Sequence, residues 1–277
     1  MIYLVPVPIG NLGDITLRAL DILRSASLIA CEDTRKTAFL LNHYQIPIAR
    51  LISFHKFNEK QREELLLRHL EDGKDLVVVS DAGSPGISDP SGKLVESAVA
   101  KGIKVLALPG ATALIPAITS SGMDSSQFQF IGFLPQTRQK KLAKLAEIAA
   151  YPYPSVLYEA PHRLKDTLKD LRDACGNRQI CIAREISKLY EEQLRGTAEE
   201  LLEDDKLTLK GEFVVIIEGK KPLPKAEVSA KTIQEVISVL ADEGLKSKEI
   251  CRELCQSYSL SHSEAYQLVL EHKRKKP

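Results

Sequence analysis

Leu76-Val77-Val78-Val79-Ser80-Asp81-Ala82-Gly83-Ser84-Pro85-Gly86-Ile87-Ser88-Asp89 decides how this chain is read. A short β-branched strand runs directly into a loop of small, polar and ring-constrained residues. Gly83 and Gly86 allow backbone to approach a ligand closely, while Pro85 and Pro90 fix the path. A loop that only had to turn would need far fewer such residues.

Four more strand ends carry the same decoration. Ile2–Val7 leads into Pro8-Ile9-Gly10-Asn11-Leu12-Gly13-Asp14, and Leu28–Cys31 into Glu32-Asp33-Thr34-Arg35. Leu51–Phe54 leads into His55-Lys56-Phe57-Asn58-Glu59, and Val105–Leu108 into Pro109-Gly110-Ala111-Thr112. Between them, Leu17–Ala26 and Glu59–Asp72 carry apolar residues at helical spacing, and Ala111–Ile118 starts a further helix. Alternating strands and helices imply βαβ units and a largely parallel sheet. In such sheets ligands bind beyond the carboxyl ends of the strands, so five decorated ends predict an enzyme site.

A second α/β segment starts near Phe128, with strands over Phe128–Leu134, Ser155–Tyr158, Gln179–Ala183, Tyr190–Arg195 and Phe213–Ile217. Helices are predicted over Gln139–Ala150 and His162–Ala174, and some strand pairing is antiparallel. Lys220-Lys221-Pro222-Leu223-Pro224-Lys225 has linker character. Beyond it, Ser229–Asp242, Ser247–Ser257 and Ser261–His272 read as three helices, with a capping box at Ser261 and Glu264 and a connection suggestive of a helix-turn-helix. The expected division is residues 1–122, 123–221 and 222–277.

Composition narrows the class. Of 277 residues, 44% are hydrophobic and 27% charged, and the formal net charge is +1. These are values for a globular chain, and any polyanion partner must rely on local basic patches. No apolar run is long enough for a membrane span, and Met1 leads straight into a strand, so a cytoplasmic protein is expected. The five cysteines form no Cys-x-x-Cys and have no histidine at ligand spacing. Cys251 and Cys255 are read as small buried residues rather than half a metal site, and no metal is expected.

The loops divide by chemistry. The Pro8–Asp14 loop lacks the Gly-x-Gly-x-x-Gly spacing of dinucleotide sites, and gains weight only from its companions. Pro109-Gly110-Ala111-Thr112 offers backbone N–H groups to a carboxylate or ribose. Glu32–Arg35 and His55–Glu59 gather acid, imidazole and cations, which suits acid–base chemistry or helix capping. Tyr158-Glu159-Ala160-Pro161-His162-Arg163 and Ala183-Arg184-Glu185-Ile186-Ser187-Lys188 repeat the pattern in the second segment. The basic run Thr137–Lys144 and the tail Lys273–Lys276 are either solvated faces or phosphate contacts.

Together these motifs resemble the tetrapyrrole-methylase superfamily, most closely its branch that 2′-O-methylates a cytidine of bacterial small-subunit ribosomal RNA. The residues carrying the resemblance are Pro6–Asp14, Glu32–Arg35, Ser53–Glu59, Ser80–Pro90, Pro109–Thr112, Gly132–Pro135, Tyr158–Arg163, Ala183–Glu192 and Lys210–Val215. Ser84 stands where Thr is usual and Ala160 where Ser is common, and both stay small. The resemblance implies two α/β domains with an active-site cleft between them, a small helical appendage, a homodimer and S-adenosylmethionine as cofactor. Carried over, the cofactor residues are Pro8, Gly10, Ser80, Asp81, Gly83, Ile87, Gly110, Ala111 and Thr112, with Glu159 and Ser187 on the adenosine side.

For methyl transfer to a hydroxyl, the candidate proton acceptors are His55 and Glu59, then Asp33 and His162. Arg35, Lys56, Arg138, Lys140, Lys141 and Arg163 are the candidate RNA contacts. Near-neutral charge suggests an assembled 30S particle as substrate. A cousin acting on a small tetrapyrrole would instead have a closed apolar cleft. A ligand-sensing nucleic-acid binder is disfavoured, because residues 229–272 set Lys231, Lys246, Lys248 and Arg252 against seven acidic side chains.

Overall fold

The computed structural model describes residues 1–48, 50–87, 91–221, 230–242, 245–258 and 260–275. Met1–Lys220 forms one compact unit and Lys221–Pro277 another. The larger unit contains two five-stranded sheets.

The first sheet is built from β1 (Ile2–Leu4), β2 (Leu28–Cys31), β3 (Arg50–Ser53), β4 (Leu76–Val79) and β5 (Val105–Ala107), in the order β3-β2-β4-β1-β5. All pairs are parallel. Its helices are α1 (Leu17–Ser25), α2 (Thr34–His43), α3 (Glu59–Glu71) and α4 (Ser91–Ala100). The continuous apolar run of β4 is explained by burial on both faces. Leu76 and Val78 join Leu66, Leu70 and Leu94 from α3 and α4. Val77 and Val79 join Leu20, Leu23 and Leu41 from α1 and α2. The two-residue period of the strand thus assigns alternate side chains to opposite helical layers. Because β1 feeds α1 on one face while its neighbour β4 feeds α4 on the other, their loops part and open a crevice.

The second sheet comprises β6 (Gln129–Phe133), β7 (Ser155–Glu159), β8 (Gln179–Arg184), β9 (Glu192–Thr197) and β10 (Phe213–Ile217), in the order β6-β7-β10-β8-β9. β6 and β7 are parallel and the other pairs antiparallel. One face is covered by α6 (Arg138–Ala150), α7 (Leu164–Cys175) and α8 (Ala198–Glu203). The opposite face is covered by α5 (Leu114–Ser120), through Leu114, Ala117 and Ile118 against Val156, Val214 and Ile216. So the helix that follows the last strand of the first sheet helps make the core of the second. Burying each such aliphatic side chain contributes about 1.5–3 kcal/mol, which ties the two sheets together.

Helices α9 (Ala230–Asp242), α10 (Ser247–Tyr258) and α11 (His262–Lys275) pack around Ile237, Cys251, Leu254, Ala265 and Val269. Cys251 is buried there as a small apolar residue. The expected capping box is present, with Glu264 accepting from the Ser261 N–H at 2.8 Å and Ser261 Oγ accepting from the Glu264 N–H at 3.3 Å. The expected N-cap Ser229 and linker residues 222–225 lie outside the described residues, as does Lys276 of the basic tail.

Boundaries moved where local chemistry intervened. β1 stops at Leu4, before Pro6, and Val7 then makes an isolated antiparallel bridge to Gly83. α5 starts at Leu114 rather than Ala111, leaving Gly110–Thr112 in the loop. The helix-capping reading of Glu32–Arg35 holds at Asp33, the N-cap of α2, whereas helices α4 and α8 were not anticipated.

Candidate active site

Three loops of the first sheet are tied into one wall. The Val7 N–H donates to Gly83 O at 3.0 Å, and the Gly83 N–H donates back to Val7 O at 2.9 Å. Gly83 has φ +75, which favours glycine at that bridge. Buried Ser80 donates to Ala82 O and Gly83 O at 3.1 and 3.2 Å, bracing the turn from within. Ser84 Oγ donates to Ala111 O at 3.1 Å, joining the β4 and β5 loops. Gly110 lies so close to the β1 loop that a Cβ there would stand 2.6 Å from Pro6.

Against this wall lies a cavity of about 390 Å³, lined by both sheets. The first sheet contributes Ile9, Gly83, Ile87 and Thr112, and the second contributes Phe133, Tyr158, Glu159 and Ile186. Tyr158 stacks edge-on with Phe130 and Phe133 at 5.0 and 5.8 Å. Burial pushes its phenol up, opposed by hydrogen bonding with Thr112 and Leu114. Glu159 is 2% exposed. Its Oε1 accepts from the Ala160 N–H at 2.8 Å, and its Oε2 accepts from Thr167 Oγ1 at 2.6 Å. Arg163 Nε stands 3.5 Å from the same carboxylate. An apolar pocket with glycine backbone and a few fixed polar groups suits a small-molecule ligand.

The loop after β8 closes over the first-sheet loop. Glu185 and Ser187, at φ 52 and 66, flank Ile186 in a left-handed conformation uncommon for non-glycine residues. Ser187 Oγ donates to Asp14 Oδ2, and its N–H donates to Glu191 at 2.7 Å. Lys188 Nζ contacts Glu185 and Glu212 at 2.9 and 3.1 Å, and its stem crosses Gly10, where a Cβ would overlap it.

A second recess of about 670 Å³ adjoins the first cavity along the same loops. Pro8, Gly10, Ser80 and Asp81 line it, whereas their neighbours Ile9 and Ala82 face the first cavity. Asp33, Arg35, Lys36 and Phe39 complete its wall. Asp33 caps α2, accepting from the Arg35 N–H at 2.9 Å, and pairs with the Arg35 guanidinium at 2.7 Å. Those contacts hold the Asp33 carboxyl well below the usual carboxylate range. Asp81 accepts from the Asp33 N–H at 2.9 Å and from Lys36 Nζ at 2.7 Å.

Of the expected cofactor residues, Gly83, Ile87, Thr112 and Glu159 line the first cavity, and Pro8, Gly10, Ser80 and Asp81 the second recess. Gly110, Ala111 and Ser187 support these walls from behind. Residues 88–90 lie outside the described residues. Among the proton-acceptor candidates, Asp33 lines a recess, and His55, Glu59 and His162 line neither. His55 is built into its own turn: the Phe57 N–H donates to its Nδ1 at 3.2 Å, and Asn58 Nδ2 stands 3.3 Å from its Nε2. Glu59, 9% exposed, faces Lys93 at 3.4 Å, and His162 is exposed beside the cavity rim.

The basic candidates also separate. Lys56 and Lys140 are exposed. Arg138 and Lys141 both clamp Asp170 of α7, at 2.7 and 2.6 Å. Arg163 donates to Leu134 O at 2.9 Å, so it braces the β6 and β7 ends. Sequence reading passed over Lys36, Phe39 and Glu212. Lys36 and Phe39 belong to helix α2, whose face the sequence does not mark, and Glu212 sits next to Gly211, whose φ of +95 marks a special turn.

Two α/β layers with glycine-walled pockets beyond the strand ends define a small-molecule cleft of the kind enzymes use. A family model for Tetrapyrrole (Corrin/Porphyrin) Methylases matches residues 1–202, and the chain belongs to that family. It is 42% identical to the Ribosomal RNA small subunit methyltransferase I of Halalkalibacterium halodurans, over 96% of this chain and 93% of that protein. The protein of that name in Synechocystis is 41% identical, covering 98% of each chain. Among solved structures, a uroporphyrin-III C-methyltransferase from Thermus thermophilus, complexed with S-adenosyl homocysteine, superposes with TM-score 0.56 at 20% identity. It covers 78% of this chain and 96% of that one. The methyltransferase CobJ gives TM-score 0.60 at 20% identity, over 79% and 93%. Both similarities are of fold.

Proposed function

We propose that the protein transfers a methyl group from S-adenosylmethionine to the 2′-hydroxyl of a cytidine in small-subunit ribosomal RNA. The observation that carries this reading is 42% identity to a named ribosomal RNA methyltransferase across 96% of the chain. As a member of the methylase family, the chain uses S-adenosylmethionine as cofactor. This cofactor supplies an electrophilic methyl on a sulfonium, already a good leaving group.

The protein's part is therefore alignment and proton handling. Gly83, Ile87, Thr112 and Glu159 would hold the donor in the first cavity, with Pro8, Gly10, Ser80 and Asp81 at the shared wall and Gly110, Ala111 and Ser187 behind it. Asp33 is the candidate placed to accept the hydroxyl's hydrogen bond. Held ionised by Arg35, it orients the hydroxyl and passes the proton on to water rather than storing it. His55 and Glu59 fix the neighbouring β3 end. The exposed Lys56 and Lys140 would meet phosphates, whereas Arg35 and Arg138 are already paired with Asp33 and Asp170.

The wider reading is a homodimer whose protomer has α/β domains over residues 1–122 and 123–221 and a helical appendage over residues 222–277, acting in the cytoplasm on assembled 30S particles. Among the described residues, no helix is long and apolar enough to cross a membrane. Labelled methyl transfer to small subunits lacking endogenous methylation, followed by nucleoside analysis, tests the function. Recovery of 2′-O-methylcytidine is expected, and label in a base methyl or in no RNA product overturns the reading.

A further inference from the structure

The two pockets have different chemistry, and a methyl transfer needs two different ligands in contact. The first cavity, at about 390 Å³, is near the lower end of the roughly 300–1,000 Å³ usual for a single small ligand. A donor filling it leaves the acceptor to come from elsewhere. The second recess, at about 670 Å³, adjoins it along the same two loops. Along the β1 loop, Ile9 faces one pocket while Pro8 and Gly10 face the other.

The lining of the second recess says what part of a nucleic acid it takes. Its cations are matched by carboxylates: Arg35 with Asp33 at 2.7 Å, and Lys36 with Asp81 at 2.7 Å. A wall so neutralised is a poor bed for a bare phosphate and a good one for an uncharged nucleoside with hydroxyls to bond. On the same wall stands Phe39, a residue of α2 that remains 67% exposed. An exposed aromatic face beside hydrogen-bonding carboxylates is the combination with which proteins hold an unstacked base and its ribose. The Arg35 side chain, 89% exposed, marks the rim of the recess.

We propose that this second recess is the acceptor-nucleoside site, in which the target base leaves its neighbours and stacks on Phe39 while its ribose faces Asp33 and Asp81. The proposal deepens the function argued above and rests on it. Stacking on Phe39 gives selectivity for an extruded, single-stranded nucleotide over one held in a helix.

The test compares Phe39→Leu and Phe39→Trp with the parent protein. Methyl transfer is measured as a function of small-subunit concentration, and S-adenosylmethionine affinity is measured separately by calorimetry. Leu keeps apolar bulk and removes the π face, while Trp keeps the face, so the pair separates stacking from simple packing. The expected result is an acceptor KM raised about tenfold or more in Phe39→Leu, near parent in Phe39→Trp, with donor affinity unchanged in both. Phe39→Leu with a parental acceptor KM overturns the proposal, as does a loss shared equally by donor and acceptor. A parent enzyme that transfers no methyl to the subunits removes the RNA reading itself, and the nucleoside site falls with it. That outcome is visible before either variant is made.

Discussion

At the scale of single residues, Asp33 and Gly110 carry the sharpest expectations. Asp33→Asn keeps the shape of the α2 cap but removes a negative hydrogen-bond acceptor from the second recess. Single-turnover methyl transfer should fall about 100-fold, with donor affinity unchanged. The double variant His55→Ala with Glu59→Ala should stay within a few-fold of the parent, because neither side chain lines a pocket. Equal losses in the two experiments would return the proton-acceptor role to the β3 loop. The pH dependence has a definite sign. Hydrogen bonds and charge from Arg35 hold Asp33 ionised well below the ordinary carboxylate range. The parent should therefore show no acid limb from Asp33 between about pH 5 and 8, whereas Arg35→Ala should bring one up toward about pH 4. Gly110→Ala acts differently, through a Cβ 2.6 Å from Pro6 that must push the β1 and β5 loops apart. It should cost about 1–3 kcal/mol in urea denaturation and weaken donor binding at least tenfold by calorimetry.

At the scale of elements, the strand ends were legible and the helix faces were not. Buried β4 announces itself as Leu76–Val79 because both its faces are covered, and the glycines that follow mark the bridge at Gly83. Helix α2 was harder to read. Its start is set by the Asp33 side chain, a cap that serves equally as a candidate acid, and its exposed Phe39 breaks the apolar periodicity. The second recess was half hidden for that reason. The basic run of α6 reads as a solvated face or a phosphate contact, and its charge is partly answered by Asp170, distant in sequence. Burial pulls the Asp170 carboxyl up, and hydrogen bonds and charge from Lys141 and Arg138 outweigh it, so the net shift is downward. A carboxylate depressed on folding stabilises above its unfolded value, near pH 4, and loses that contribution as pH falls through its lower folded value. Asp170→Asn should accordingly destabilise by about 1–2 kcal/mol at pH 7. The difference from the parent should shrink toward zero in urea melts taken below about pH 3. A difference that persists at low pH would mean the asparagine disturbs packing between α6 and α7 instead.

At the scale of the whole molecule, the near balance of charge is the governing fact. A formal net charge of +1 spread over 277 residues gives little long-range attraction to a polyanion. Arg138, Lys141, Arg35 and Lys36, four of the cations that could have met phosphates, are already paired with carboxylates. An enzyme that gripped naked RNA would need several unpaired cations, and its affinity would fall steeply with salt, by nearly one power of salt concentration per phosphate neutralised on a duplex. On the function proposed above, such a surface fits an acceptor recognised by its shape, with ribosomal proteins adding contacts and presenting the target nucleotide out of its stack. Methylation of assembled small subunits should therefore exceed that of deproteinised small-subunit RNA by at least tenfold in kcat/KM at physiological salt. Raising salt from about 50 to 200 mM should lower the subunit reaction less than tenfold, against about 1,000-fold or more for a protein with six or more phosphate contacts. Equal rates on the two substrates, or a salt slope as steep as that of a duplex-binding protein, would place recognition in the RNA backbone. The basic surface at Lys56 and Lys140 would then have to carry it.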